Sequence, residues 1–163
     1  MKIVITVGLP GSGKSTYLAR HGINAISSDE IRRLIADDPT DQAIHKRVFA
    51  VIRYLIRQRI AIGRPVTYVD ATHLTRWERR PYVELARRCG CKIAALFFDV
   101  PMEICIQRNK KRDRVVPERA IRQMAERFEV QPDCENRAQL SPYSVNIRPL
   151  LSTLNNSVNS WPQ

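Results

Sequence analysis

Eight residues near the amino terminus, Gly8-Leu9-Pro10-Gly11-Ser12-Gly13-Lys14-Ser15, have the spacing GxxxxGK[ST] and are followed by Thr16. Glycines at this spacing let consecutive backbone N–H groups point into one concavity, and a helix opening there adds its partial positive charge. Gly8, Pro10, Gly11, Ser12 and Gly13 would then wrap a phosphate chain, with Lys14 reaching the β- and γ-phosphates. The Ser15 hydroxyl can ligate Mg²⁺, and Thr16 could contact the α-phosphate. A glycine-rich turn without a ligand is the plainer reading, but the flanking strand and helix signals speak for the phosphate cup. The expected ligands are a nucleoside triphosphate, ATP, and Mg²⁺.

Moving a phosphoryl group also needs an acceptor oxygen in line, a base for its proton, and cations around the moving group. Ser27-Ser28-Asp29-Glu30-Ile31-Arg32 offers two of these. Asp29 could take the proton of an attacking hydroxyl, although a helix-capping carboxylate would look the same. Arg32, three residues on and on the same helix face, could grip an acceptor phosphate. Val66-Thr67-Tyr68-Val69-Asp70 ends an apolar run on an acid, which suits Asp70 to hold a Mg²⁺-bound water or to orient an arginine. In Arg108-Asn109-Lys110-Lys111-Arg112-Asp113-Arg114, Arg108 and Arg112 share a helix face. Such a segment can close over phosphates as a lid, or simply end a helix with favourable positive charge.

These groups need a frame. Strands are expected at Lys2–Val7, Asn24–Ser27, Pro65–Val69 and Lys92–Val100, the last a continuous apolar run suited to burial on both faces. Helices are expected from Lys14 to His21, from a Ser27 or Ser28 cap through Leu34, and from about Asp41 to Ile62, closed by Gly63. In the third, Ile44, Val48, Val51, Ile52 and Leu55 recur at helical period. Thr75 and Glu78 have capping-box spacing for a helix to about Arg88, in which Pro81 would kink or delay the start. Two more helices follow, from Pro101 to about Lys111 and from Pro117, the latter with Ile121, Met124, Ala125 and Phe128 on one face. Strands alternating with helices imply a parallel α/β sheet. The fold expected is a P-loop NTPase/kinase, a three-layer α/β/α arrangement with a short, mainly parallel sheet of order 2-3-1-4 and a helical lid. Residues 1–130 would form this domain. Residues 131–163, polar and punctuated by proline, would be a tail that is partly disordered or draped on the surface.

The chain has 163 residues and a formal charge of +11, with 27 Lys plus Arg against 16 Asp plus Glu. After Val130 the charged residues Asp133, Glu135, Arg137 and Arg148 cancel, so the whole excess lies in residues 1–130. That field favours a polyanionic partner such as nucleic acid, although a basic surface also aids solubility. Nothing reads as a signal peptide or a membrane span. Cys89, Cys91, Cys105 and Cys134 form no CxxC pair and read as small hydrophobes in a reducing cytoplasm.

Together, GLPGSGKST, SSDEIR, VDATHL, WERR, FFDVP and RNKKR followed by VVP, in this order, resemble the kinase module of polynucleotide 5′-hydroxyl kinases over about Lys2 to Gln131. The resemblance implies that Lys14 and Ser15 hold the phosphates and Mg²⁺ and that Asp29 is the general base for a 5′-hydroxyl. It further implies that Arg32 contacts the acceptor's 3′-phosphate and that Arg112, with Arg108 a second candidate, contacts the donor phosphates. Asp70 matches an acidic residue after the third strand. His73 stands where the resemblance leads one to expect asparagine. The sequence has no DxDxT phosphatase signature, so a phosphatase or ligase would act from separate chains on the same DNA or RNA ends. The alternatives are a P-loop kinase of a small metabolite, a sugar nucleotide or an aminoacylated tRNA, and an ATP-dependent switch. A switch commonly has glutamate after the acid that ends the third strand. Here Ala71 follows Asp70.

Overall fold

The computed structural model describes residues 1–112, 114–129 and 145–149. Strands and helices alternate as β1 (Lys2–Val7), α1 (Lys14–Arg20), β2 (Ala25–Ser27), α2 (Ser28–Ala36), α3 (His45–Ala61), β3 (Val66–Asp70), α4 (Arg76–Arg88), β4 (Lys92–Phe98), α5 (Met102–Asn109), α6 (Glu118–Glu126) and β5 (Val145–Pro149). The sheet order is β2-β3-β1-β4-β5. Its first four strands are parallel, giving the expected order 2-3-1-4.

Side-chain alternation along β1 explains the layers. Ile3, Ile5 and Val7 pack with Val48, Ile52 and Ile56 of α3 and with Tyr82, Leu85 and Ala86 of α4. Val4 turns the other way, joining Leu96, Phe98 and the partly buried Tyr17 of α1. A strand covered on both sides must be apolar throughout, as β1 and β4 are. A third cluster, Leu9, Leu74, Val100 and Cys105 with Met124 and Phe128, fastens α5 and α6 beside the loop that follows β1.

The register brings the strand ends together. Ser27 pairs with Asp70, and Ile5 of β1 pairs with Val69 of β3. The residues after β1, β2 and β3 therefore emerge at one carboxyl edge, next to the point where strand order reverses, which is where open α/β sheets bind ligands.

Three elements differ from the sequence expectation. Helix α3 begins at His45 rather than Asp41. The Asp38 and Asp41 carboxylates accept from the Thr40 and Ala43 N–H groups at 2.7 and 2.8 Å. These local turns compete with helix formation. Pro81 neither delays nor ends α4, whose Thr75–Glu78 capping box is complete. Finally, Val145–Pro149, within the segment expected to be tail, pairs antiparallel with β4 as an edge strand. Pro149 lacks an N–H and tolerates an edge position, but that proline and the shortness of the run hide the strand in the sequence. Cys134 and the rest of the expected tail lie outside the described residues.

The phosphate loop is packed as well as curved. Gly11 has φ +82°, and a Cβ there would collide with the Cys105 carbonyl of α5. Strain and overpacking should together make Gly11→Ala about 3 kcal/mol less stable. Urea denaturation checks this, and an unchanged midpoint would show that α5 does not pack on the loop.

Candidate active site

One cleft of about 950 Å³ runs along the carboxyl edge of the sheet. Pro10, Gly11, Ser12, Gly13, Lys14, Ser15, Thr16, Asp29, Arg32, Asp70, Arg108 and Arg112 all line it. Gly8 is not in the lining; its carbonyl instead accepts from Lys14 Nζ at 2.9 Å.

Residues 10–15 of the phosphate loop form one wall of the cleft. Lys14 opens α1 behind Gly13, whose φ of +93° suits glycine. The Lys14 ammonium folds back over the loop, donating to the Gly8 and Leu9 carbonyls at 2.9 and 2.8 Å and to Ser12 Oγ at 3.4 Å. Burial pushes its pKa down to about 8, against the opposing pull of the Asp70 carboxylate. A phosphate entering this cup replaces neutral carbonyls by anionic oxygens, a stronger partner for the ammonium. Arg108 lies over the loop, its Nη1 4.0 Å from the Cβ position of Gly13. Arg112 is near enough that its charge also disfavours the Lys14 ammonium.

Asp70 ends β3 against the phosphate loop. Its Oδ2 accepts from the Ser15 hydroxyl at 2.6 Å. The Thr6 hydroxyl oxygen is 2.8 Å from the Ala71 carbonyl and 3.2 Å from Asp70 Oδ1. A hydroxyl and a carboxylate side by side at the mouth of a phosphate cup are hard oxygen donors, and they fit Mg²⁺ shared with phosphate oxygens and water. Of the two roles open to Asp70, the position beside Ser15 favours the metal side.

Asp29 lines the same cleft from the first turn of α2. Ser27 is the helix cap, accepting from Glu30 N–H at 3.4 Å, so capping does not occupy Asp29. Its Oδ1 accepts from Arg32 Nη1 at 3.1 Å, and Arg114 Nη1 lies 2.9 Å from Oδ2. Arg32 is buried, whereas half of the Asp29 side chain is exposed.

The profile of the AAA_33 family, described as an AAA domain, matches residues 3–131. The chain belongs to this family. Among curated proteins it is similar to the L-seryl-tRNA(Sec) kinase of Methanococcus maripaludis, 23% identical over 138 residues that cover 78% of this chain and 52% of that protein. Among solved structures, a chain of the Pnkp1/Rnl/Hen1 RNA repair complex superposes with a TM-score of 0.66 at 24% identity, covering 77% of this chain and 43% of that one. The Mycobacterium tuberculosis APS kinase CysC, in complex with AMPPNP and APS, gives a TM-score of 0.52 at 25% identity, with 68% and 69% coverage. A gluconokinase from Sinorhizobium meliloti 1021 gives 0.54 at 22%, with 83% and 79% coverage. The chain spans about half the length of the curated relative it matches. The fold is that of a P-loop kinase, and the acceptors named for these proteins differ from one to the next.

Within this AAA_33 chain, three residues shape the site without having stood out in the sequence. Arg79, buried, donates to the His73 and Leu74 carbonyls at 2.8 Å and to the Glu129 carbonyl at 3.0 Å. It thereby fixes the loop after β3. Asn109 ties the end of α5 to Val116 through two hydrogen bonds, 2.7 and 3.0 Å long. Arg114 was one basic residue among several in RNKKRDR, and only the fold brings it to Asp29.

His73 is a structural residue. It takes φ +46°, a conformation that histidine and asparagine adopt more readily than most residues. Its Nδ1 bonds the Thr6 carbonyl at 2.8 Å, and its ring meets Tyr82 edge-on at 4.8 Å. Burial pushes its pKa from 6.5 down to about 4. The unfolded chain binds a proton that the folded one refuses between those values. The neutral ring's contribution is therefore complete above pH 6.5 and is lost as pH falls towards 4, by about 3 kcal/mol in all. Urea titrations near pH 7 and near pH 4.5 should show a steeper loss for the wild type than for His73→Asn. Equal losses would contradict this.

Proposed function

We propose that this chain transfers the γ-phosphoryl of ATP to the 5′-hydroxyl of a DNA or RNA end, acting in the cytoplasm. The observation that carries the proposal is one cleft lined by both the Lys14 cup and the Asp29 carboxylate. Lys14 and the loop amides hold the donor, Asp29 takes the acceptor's proton, and Arg112 with Arg108 spreads positive charge over the moving group. Mg²⁺ held at Ser15, beside Asp70, would neutralise the β- and γ-phosphate oxygens when bound. In-line placement across the cleft then does most of the catalytic work.

The acceptor class rests on charge. An excess of +11, all within residues 1–130, favours a polyanion over a small neutral sugar. The similarity to a chain of an RNA repair complex points the same way, and a phosphatase or ligase on other chains would complete such a repair. A second reading has its own observation: the seryl-tRNA(Sec) kinase relative suggests the hydroxyl of an aminoacylated tRNA. The deciding experiment offers γ-labelled ATP together with 5′-hydroxyl DNA and RNA oligonucleotides, seryl-tRNA, adenosine 5′-phosphosulfate and gluconate. Label is expected at oligonucleotide 5′ ends, and transfer should weaken as salt rises. Label on seryl-tRNA or a metabolite in preference to the oligonucleotides would overturn the polynucleotide reading.

A further inference from the structure

We propose that the outer face of helices α3 and α4 is a second binding surface, outside the cleft, that holds the single-stranded body of a nucleic acid whose 5′ end enters the cleft. This rests on the reading of the acceptor as a polynucleotide.

The two helices belong to one layer. Val48, Ile52 and Ile56 of α3 and Tyr82, Leu85 and Ala86 of α4 pack in the same cluster as Ile3, Ile5 and Val7 of β1. Both helices have their amino-terminal ends at the cleft, which His45, Phe49 and Glu78 line, and none of their later residues line it. At about 100° per residue, Arg47, Tyr54 and Arg57 lie on the side of α3 away from Ile52. Trp77, Arg80 and Arg87 lie likewise on the side of α4 away from Tyr82. All six are exposed.

Charge on these helices is one-sided. Helix α3 has five Lys and Arg and no acid, and α4 has five Arg against Glu78 and Glu84. The pair thus carries eight of the chain's formal +11. Glu78 is engaged in the capping box, and Glu84 pairs with Arg80 at 2.7 Å, an exposed contact that holds the arginine weakly. A face that served solubility alone would mix both signs and keep its aromatics covered. Here Trp77 is 80% exposed, more than any other large apolar side chain among the described residues, and Tyr54 is 53% exposed. Cations that neutralise phosphates and rings on which bases stack are the two components of a single-strand binding surface. Trp77 directly precedes the cleft-lining Glu78, so a strand leaving the cleft along α4 meets that ring first.

The test is fluorescence anisotropy of a labelled single-stranded oligonucleotide of about 20 nucleotides, titrated with the full chain over a range of salt. A variant combining Arg47→Gln, Arg57→Gln, Arg80→Gln and Arg87→Gln should bind about tenfold or more weakly, with the slope of log K against log salt reduced by about 2. Trp77→Ala should weaken binding about tenfold and leave that slope unchanged. KM for the oligonucleotide should rise in both variants, while kcat and KM for thymidine 3′-monophosphate, which is too short to leave the cleft, stay as in the wild type. Unchanged binding by the fourfold variant overturns the proposal, as does a wild type that does not bind the oligonucleotide. Polyglutamate displacing the probe as well as unlabelled DNA does would also overturn it, since the face would then suit acidic chains of any kind. A matching rise of KM on the mononucleotide would place these residues in the cleft and contradict a separate surface. Binding that the variants weaken, without transfer to any acceptor, leaves the surface standing and defeats the kinase reading alone.

Discussion

Asp29→Asn should lower kcat by about 10³-fold while leaving ATP affinity almost unchanged. The amide keeps the shape and still accepts from Arg32, but it cannot take a proton. Among the described residues Asp29 makes none of the phosphate loop's hydrogen bonds, so donor binding should change little, the loss of a charge felt by Lys14 being its one effect on that side. Single-turnover transfer and nucleotide binding, measured on the same preparation, check both halves. Transfer surviving within about tenfold would remove Asp29 from the role of base. Loss of ATP binding would move it to the donor side.

Lys14→Ala should be comparably damaging, by the opposite route. Lys14 donates to Gly8, Leu9 and Ser12, so its removal takes away the group that closes the loop as well as the cation for the β- and γ-phosphates. Loss of one preorganised cation from a charge-developing transition state costs about 10²- to 10³-fold in kcat. Weaker ATP binding should accompany it. The Asp29 variant is expected to lose kcat alone, so the contrast separates the two sides of the cleft. Substantial turnover by Lys14→Ala, with ATP binding intact, would mean that the loop holds the donor through its amides only.

The parts of the site that were legible in the sequence are those whose chemistry is local. A phosphate loop must curl within eight residues, so its glycines, Lys14 and Ser15 announce themselves in order. Ser27 caps α2 and the Thr75–Glu78 box opens α4 through bonds between near neighbours, and both could be read from spacing. The parallel sheet followed from strands separated by helix-length crossovers. What the sequence hid depends on contacts between distant segments. Arg114 meets Asp29 only because the strand register gathers these ends at one edge, and Arg79 reaches the Glu129 carbonyl from a distant part of the chain. His73 has no local signature, since its burial is made by Thr6, Phe49 and Tyr82 from three different elements. Strand β5 is short and includes a proline, so it shows itself only by pairing with β4.

The central claim is that ATP held in the Lys14 cup gives its terminal phosphoryl to an alcohol rather than to water. Its most direct test is the ratio of phosphate ester to ADP formed, with and without a 5′-hydroxyl oligonucleotide. One ester per ADP, and almost no ADP without the oligonucleotide, is the result expected. Steady release of free phosphate at a rate that no acceptor changes would contradict it.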